Sequence, residues 1–176
     1  MMNTLSNKIR RTAGLVAIAF GVVLPQAAIA GHTNTLLHAS LDGSSEVPVD
    51  GDMSELVGDA NGMGHAYVFG IDNDENTLCY SLTVSGIQLV AVGEGLAAHI
   101  HEGAMGTNGP VVAALAGPEG GTAADCLTEG EEGKFPTGEA GIVQRILNNP
   151  EDFYVNVHNP QYPDGAVRGQ LEMHAH

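Results

Sequence analysis

The sequence predicts an all-β fold with one short helix, and three observations support this prediction. Short segments of alternating polar and apolar residues recur along the chain, as in strands that bury one face. Clusters of Gly, Asp, Asn and Pro separate these segments, as turns do. The 24 glycines are spread along the chain rather than concentrated in a linker. Together these patterns are typical of a β-sandwich or a Greek-key barrel.

The strand predictions follow the alternation in chain order. Residues 35–41 and 64–71 alternate, and the turn cluster 72–76 joins the second segment to 77–84 as a hairpin. Four further segments are predicted to be strands: 96–101, 111–115, 153–158 and 166–173.

One helix is predicted over residues 138–147, where apolar residues recur at i and i+4. Thr137 is the expected N-cap, and Asn148-Asn149-Pro150 is expected to end the helix. The glycine- and acid-rich segment 117–136 is predicted to be a loop.

The first 30 residues have the composition of a signal peptide. Three basic residues precede the apolar segment 13–24, and Ala28 and Ala30 fit the −3 and −1 positions of a cleavage site. This apolar segment is too short for a membrane span of about 20 residues. We therefore expect residues 1–30 to be a signal peptide, with an uncleaved anchor as the alternative. Residues 31–176 are then one domain that is periplasmic or secreted, with no membrane-spanning segment after cleavage.

The two cysteines, Cys79 and Cys126, both lie in the predicted exported part. An even pair in an oxidising compartment predicts a disulfide bond. Closing a loop of about 48 residues stabilises the fold by roughly 4 kcal/mol in the chain-entropy model. A thiol ligand for copper is the alternative role.

The predicted mature chain is strongly acidic. Removal of residues 1–30 leaves 21 acidic residues against three basic ones, a net charge of −18 with histidine neutral. Such a surface repels nucleic acid and anionic lipid, so neither is an expected partner. It attracts metal cations weakly at many places, and a dedicated metal site therefore has to be recognised from its ligands.

His99 and His101 form a His-X-His pair on a predicted strand. Residues i and i+2 of a strand point to the same face about 7 Å apart, so both imidazoles can reach one ion at roughly 2.0 to 2.1 Å. Ile100 is expected to point into the apolar core on the opposite face. Two polar residues on a solvated strand face are the alternative interpretation.

A third histidine favours the metal interpretation. His158 ends the predicted strand 153–158 and shares a face with Tyr154 and Asn156. Three neutral imidazoles from two strands suit copper or zinc. His65, near the start of another strand, is the candidate fourth ligand, with an exposed strand residue as the alternative.

Four segments resemble the CHRD domain, which is named after chordin. They are LDGSSEVP at 41–48, AHIHEG continuing through GTNGPVV at 98–112, YVNVHNP at 154–160 and GAVRGQL at 165–171. The resemblance covers about residues 36–172 in the family's order. It implies an immunoglobulin-like or Greek-key β-sandwich.

The implied architecture is shared by copper–zinc superoxide dismutases, which also have a His-X-His strand pair, a late histidine at a strand end and a later arginine. The matching positions are His99, His101, His158 and Arg168. The closely spaced histidines and the aspartate that would hold zinc are missing from this sequence, so the resemblance implies a copper-only site. Arg168 would act catalytically by attracting superoxide and donating hydrogen bonds to it, with a structural ion pair as the alternative.

The sequence therefore predicts an exported copper-binding protein with superoxide dismutase-like redox chemistry. Its expected partners are the metal ion and a small diatomic substrate such as superoxide. One alternative is a non-enzymatic copper-binding or copper-storage protein that uses the same ligands. Another is an extracellular adhesion or interaction module without a metal. The sequence does not predict the oligomeric state.

Overall fold

The computed structural model describes residues 35–51, 54–91 and 93–174. The predicted signal peptide, residues 1–30, lies outside these ranges. Within them, no helix is long and apolar enough to span a membrane.

The described part of the chain contains nine strands, and every pairing between them is antiparallel. In chain order they are β1 Leu36–Asp42, β2 Met63–Ile71, β3 Asp74–Ser85, β4 Ala97–Glu102, β5 Val111–Leu115, β6 Thr122–Thr128, β7 Phe153–His158, β8 Val167–Gln170 and β9 Glu172–Met173. The single α-helix of these residues, α1, spans Ile142–Asn148. The prediction of an all-β fold with one short helix is confirmed.

The strands form one sheet in the order β5-β4-β7-β8-β1-β2-β3-β6, and β9 pairs with β1. This order places β4 beside β7, although a long stretch of chain separates them. The pairing does not divide the strands into two packed sheets. The more specific Greek-key or immunoglobulin-like sandwich therefore stays a prediction.

The hydrophobic core lies on one face of this sheet. Alternate residues of the strands point into it, and the apolar side of α1 packs with them. Side chains that are at most 1% exposed include those of Val68, Leu82, Ile100, Val155 and Ile146. The opposite face of the sheet is therefore the one on which polar side chains can form a site.

The prediction that residues 117–136 form a loop was wrong, because this segment contains β6. The strand lies at the edge of the sheet, and of its seven residues only Leu127 is buried. It pairs with β3 in a register that sets Cys126 directly opposite Cys79. These cysteines form the predicted disulfide bond, which excludes the alternative that they are free thiol ligands.

The predicted start of the helix was also wrong. The helix begins at Ile142, after Gly141 in the left-handed conformation with φ of 81°, and Thr137 is not its cap. The carboxylate of Glu129 instead accepts hydrogen bonds from the N–H groups of Gly141 (2.8 Å) and Val143 (2.9 Å). A side chain from a distant segment thus satisfies the free N–H groups of the first turn.

Two strand predictions differ from the structure by more than one residue. The turn cluster 72–76 is shorter than expected, because β3 already begins at Asp74 and Asn73 supplies the left-handed residue with φ of 61°. The predicted strand 166–173 is divided into β8 and β9. The first pairs with β7 and β1, whereas the second pairs with β1 alone.

Candidate metal centre

Three histidines come together on the polar face of β4 and β7. His99 and His101 project from β4, while Ile100 between them is fully buried in the core. In the pairing of β4 with β7, Ala97 lies opposite His158. The His158 side chain is therefore the diagonal neighbour of His99 across the strand pair.

The three imidazoles are close enough to share one ion. Each ring offers one nitrogen, and these atoms all lie within 4.8 Å of one another. The ring centroids are 5.2 Å apart for His99 and His158, 5.6 Å for His99 and His101, and 6.0 Å for His101 and His158. The predicted grouping of these residues on one face is present, and we call them the histidine trio.

One buried nitrogen on each ring of the trio has no hydrogen-bond partner. These atoms are Nδ1 of His99, Nε2 of His101 and Nε2 of His158. A buried polar atom without a partner is costly unless a ligand satisfies it. A metal ion would satisfy all three nitrogens at once.

Backbone carbonyl groups fix the protonation of two rings. Nδ1–H of His101 donates to the carbonyl oxygen of Gly109 at 3.0 Å, and Nδ1–H of His158 donates to that of Pro163 at 3.1 Å. A carbonyl oxygen can only accept, so the proton of the neutral ring lies on Nδ1 and Nε2 keeps its lone pair. Such outer contacts orient metal-binding histidines and set their tautomers.

The surroundings of the trio favour the neutral rings that a metal needs. Burial lowers the pKa of His99 to about 4, and repulsion from the other two histidines adds to the effect. Burial also lowers the pKa values of His101 and His158. All three rings are therefore uncharged at pH 7 and can bind a cation without first losing a proton.

The trio opens into a surface pocket with mostly apolar walls. The pocket is lined by Gly95, Ala97, His99, His101, Val111, His158, Asn159, Pro160 and Pro163. Apart from the imidazoles, Asn159 is the only polar side chain among these lining residues. A bound ion would thus be reached from solvent through an open, mostly apolar depression.

Tyr154 supports the trio, a role that sequence reasoning missed. Its ring stacks on that of His101, with centroids 4.8 Å apart and planes 10° from parallel. Its hydroxyl oxygen accepts a hydrogen bond from the N–H of Gly109 at 3.2 Å. A Cβ at position 109 would lie 1.6 Å from the carbonyl oxygen of Glu102, so only glycine fits here. The alternation of β7 could have indicated that Tyr154 shares a face with His158. The hydrogen bond from the Gly109 N–H to Tyr154 has no signal in the sequence.

Arg168 lies near the trio but its donors are engaged within the protein. It is 2% exposed, and its guanidinium group lies 3.4 Å from the centre of the Tyr154 ring. The side chain donates hydrogen bonds to Oδ1 of Asn108 (3.1 Å) and to the carbonyl oxygen of Thr107 (2.7 Å). Arg168 is not among the residues that line the pocket. These contacts hold the loop after β4 against the sheet, and a catalytic role stays a prediction.

The structure does not bring His65 to the trio. His65 lies on β2, and β8 and β1 separate that strand from β7 in the sheet. Its side chain is exposed, as the alternation of β2 requires for a residue next to buried Ala66. Its Nδ1 lies 3.3 Å from Nε2 of His38. The fourth ligand predicted from the sequence is therefore placed on a different part of the surface.

A buried carboxyl group, also missed by sequence reasoning, contacts Asn156 next to the trio. Glu46 is 5% exposed, and its Oε2 accepts a hydrogen bond from Nδ2 of Asn156, the residue opposite His99, at 3.2 Å. Burial raises the pKa of Glu46 to about 8, against the opposing effect of Arg168. The carboxyl group is therefore largely protonated at pH 7.

The fold and the site define a small all-β protein with a three-histidine centre on its polar face. Residues 37–171 match the CHRD domain. Because the match covers most of the sequence, the chain belongs to the CHRD domain family. Comparisons with curated proteins and with solved structures gave no significant match.

Proposed function

We propose that this CHRD domain protein is exported and binds copper through His99, His101 and His158. The observation that carries the proposal is that the three rings lie within reach of one ion and that each has a buried nitrogen without a hydrogen-bond partner. The carbonyl groups of Gly109 and Pro163 support it, because they leave the metal-facing nitrogens of two rings unprotonated. These features describe a site prepared for a cation rather than three solvated side chains.

The ligand set favours copper over other metals. The trio contains no carboxylate, which magnesium, calcium and manganese prefer. Imidazole nitrogens suit both Cu(II) and Zn(II), and copper binds most tightly in the usual order of divalent affinities. The disulfide bond supports export, because such bonds persist in oxidising compartments.

We further propose redox chemistry of the superoxide dismutase type. Bound copper would supply one-electron transfer, so that two superoxide ions and two protons give O₂ and hydrogen peroxide. The protein's part is to hold three neutral imidazoles with fixed tautomers and to keep a pocket that admits a diatomic molecule. The strongly acidic chain repels superoxide, so salt should raise the rate by screening this repulsion.

The experiment compares the exported protein with its His101→Ala variant. Both are loaded with Cu(II), treated with a chelator, and examined by metal analysis, electron paramagnetic resonance and superoxide consumption. We expect the wild type to retain copper with a nitrogen-coordinated spectrum and to consume superoxide, and the variant to lose both properties. Glu55→Gln is the control, because that exposed residue lies outside the trio and the other histidines.

Each outcome separates the possible functions. A wild type that retains no copper would refute the metal proposal and favour an interaction module. Tight copper binding without superoxide consumption would contradict the redox part and leave a non-enzymatic copper-binding or storage protein.

A further inference from the structure

A second group of histidines lies on the polar face of the sheet at β1 and β2. His38 projects from β1 and His65 from β2, on the face opposite the buried residues of each strand. His174 follows β9, and its backbone N–H donates to the carbonyl oxygen of Leu36 at the start of β1 (2.9 Å). We call His38, His65 and His174 the β1–β2 cluster.

Two rings of this cluster already have the spacing of metal ligands. Nε2 of His38 and Nδ1 of His65 are 3.3 Å apart. Two nitrogens bound to a tetrahedral ion at 2.0 to 2.1 Å are separated by about 3.4 Å. In the metal-free protein, one shared proton can join these atoms, and a metal ion would take the place of that proton.

The surroundings of His38 supply further ligands or supports. The His174 ring lies 6.0 Å from the His38 ring, centre to centre. On the other side of His38, Nδ1 lies 3.8 Å from Oε1 of Glu172. A carboxylate next to the second nitrogen of a histidine is the usual outer support of a metal-binding ring.

We propose that the β1–β2 cluster is a second metal site, for a borderline divalent cation such as Cu²⁺ or Zn²⁺. His38 and His65 are its main ligands, His174 is the third, and Glu172 orients His38. The site binds more weakly than the trio, because His65 is exposed and His174 has to approach the other two rings. The proposal rests on different residues from those of the proposed copper function and stands independently of it.

The test is a Cu²⁺ titration of the purified exported protein, followed by calorimetry and by metal analysis after dialysis. We expect two equivalents with different affinities in the wild type. The double variant His38→Gln, His65→Gln should lose the weaker equivalent and keep the tighter one. The reciprocal variant His99→Gln, His158→Gln should keep the weaker one, provided that its circular dichroism matches the wild type.

Single substitutions keep the proposal testable if the reciprocal variant does not fold. His174→Gln should weaken the second equivalent, and Glu172→Gln should weaken it by about tenfold. If the His38, His65 double variant binds as many equivalents as the wild type, with unchanged affinities, the second site is refuted. If the His38, His65 double variant instead loses the tighter equivalent, or the single equivalent that the wild type binds, the second site stands and the trio is not the tighter site.

Discussion

The trio and the β1–β2 cluster both project from the polar face of one sheet, but their surroundings differ. In the trio, each nitrogen without a hydrogen-bond partner is buried, and two of the rings donate hydrogen bonds to backbone carbonyl groups. In the β1–β2 cluster, His65 is exposed and hydrogen-bonds to another histidine instead. Imidazoles with a similar spacing therefore form a preorganised site at the trio, whereas the site at the β1–β2 cluster has to rearrange to bind an ion. The difference is made by the loops that cover β4 and β7, not by the histidines.

The largest expected effect concerns copper retention. His101→Gln removes a buried ligand whose ring is held by Gly109 and Tyr154, and we expect it to lower the copper affinity of the trio by about 100-fold or more. His65→Gln should leave that affinity unchanged. Competition with a chelator of known affinity measures both values. Equal losses of copper affinity in the two variants would contradict the claim that the trio, and not His65, holds this copper ion.

The next effect concerns Glu46, the buried acid that accepts a hydrogen bond from Asn156. Its pKa of about 8 means that the folded protein keeps a proton that the unfolded chain releases above about pH 4.5. The wild type therefore loses stability as the pH rises from about 4.5 to 8, by up to about 4 kcal/mol. Glu46→Gln cannot ionise, so its stability relative to the wild type should increase over the same range.

Urea unfolding at pH 4.5 and pH 8 measures this change for Glu46. The matched control is Glu55→Gln, at an exposed position. A Glu46→Gln variant that follows the wild-type pH dependence would show that Glu46 is ionised in the folded protein.

A somewhat smaller effect is expected from the trio in the metal-free protein. Burial lowers the pKa of His99 to about 4, whereas the unfolded chain accepts a proton near pH 6.5. The folded state therefore loses stability as the pH falls from about 6.5 to 4, and solvent screening at this half-buried ring keeps the loss below about 3 kcal/mol. His99→Gln should show a smaller loss in urea unfolding across this range. An unchanged loss would mean that the half-buried His99 ring is not shielded from solvent as the structure describes.

The smallest effect compares two tyrosines. Tyr154→Phe removes the hydroxyl that accepts from the N–H of Gly109, and we expect a loss of about 1 kcal/mol in the free energy of unfolding. Tyr67→Phe, beside the β1–β2 cluster, should change it by less than about 0.5 kcal/mol. Thermal unfolding of both variants measures the contrast. Equal values would show that the loop at Gly109 is not held by Tyr154.

The parts of the fold that follow from local alternation were predictable from the sequence. The apolar segment 111–115 and the alternating segment 153–158 match β5 and β7, because both strands contribute several apolar side chains to the core. The edge strand β6 was missed because it buries only Leu127 and has no alternating pattern to detect. The start of α1 was missed because the N–H groups of its first turn bind Glu129, a side chain from before the predicted helix, rather than a capping side chain next to it.

The same division applies to the site. The spacing of His99 and His101 on one strand indicated a shared face, and the late position of His158 indicated a third ring. The local sequence does not indicate whether β2 lies beside β7 in the sheet. The position of His65 relative to the trio could therefore not be predicted. Glu46 was missed because its burial depends on loops that meet only in the folded chain, including Gly165, where a Cβ would lie 2.4 Å from the carboxylate.

The position of the tyrosines gives each histidine cluster its own optical reporter. The sequence has no tryptophan and four tyrosines, so its ultraviolet emission comes from tyrosine alone. Tyr154 stacks on His101 of the trio, and Tyr67 lies 5.0 Å from His38, centre to centre. Paramagnetic Cu²⁺ quenches the emission of a ring in contact with its ligands. Filling of each site should therefore quench a different tyrosine, and the Tyr154→Phe and Tyr67→Phe variants tell the two losses of emission apart.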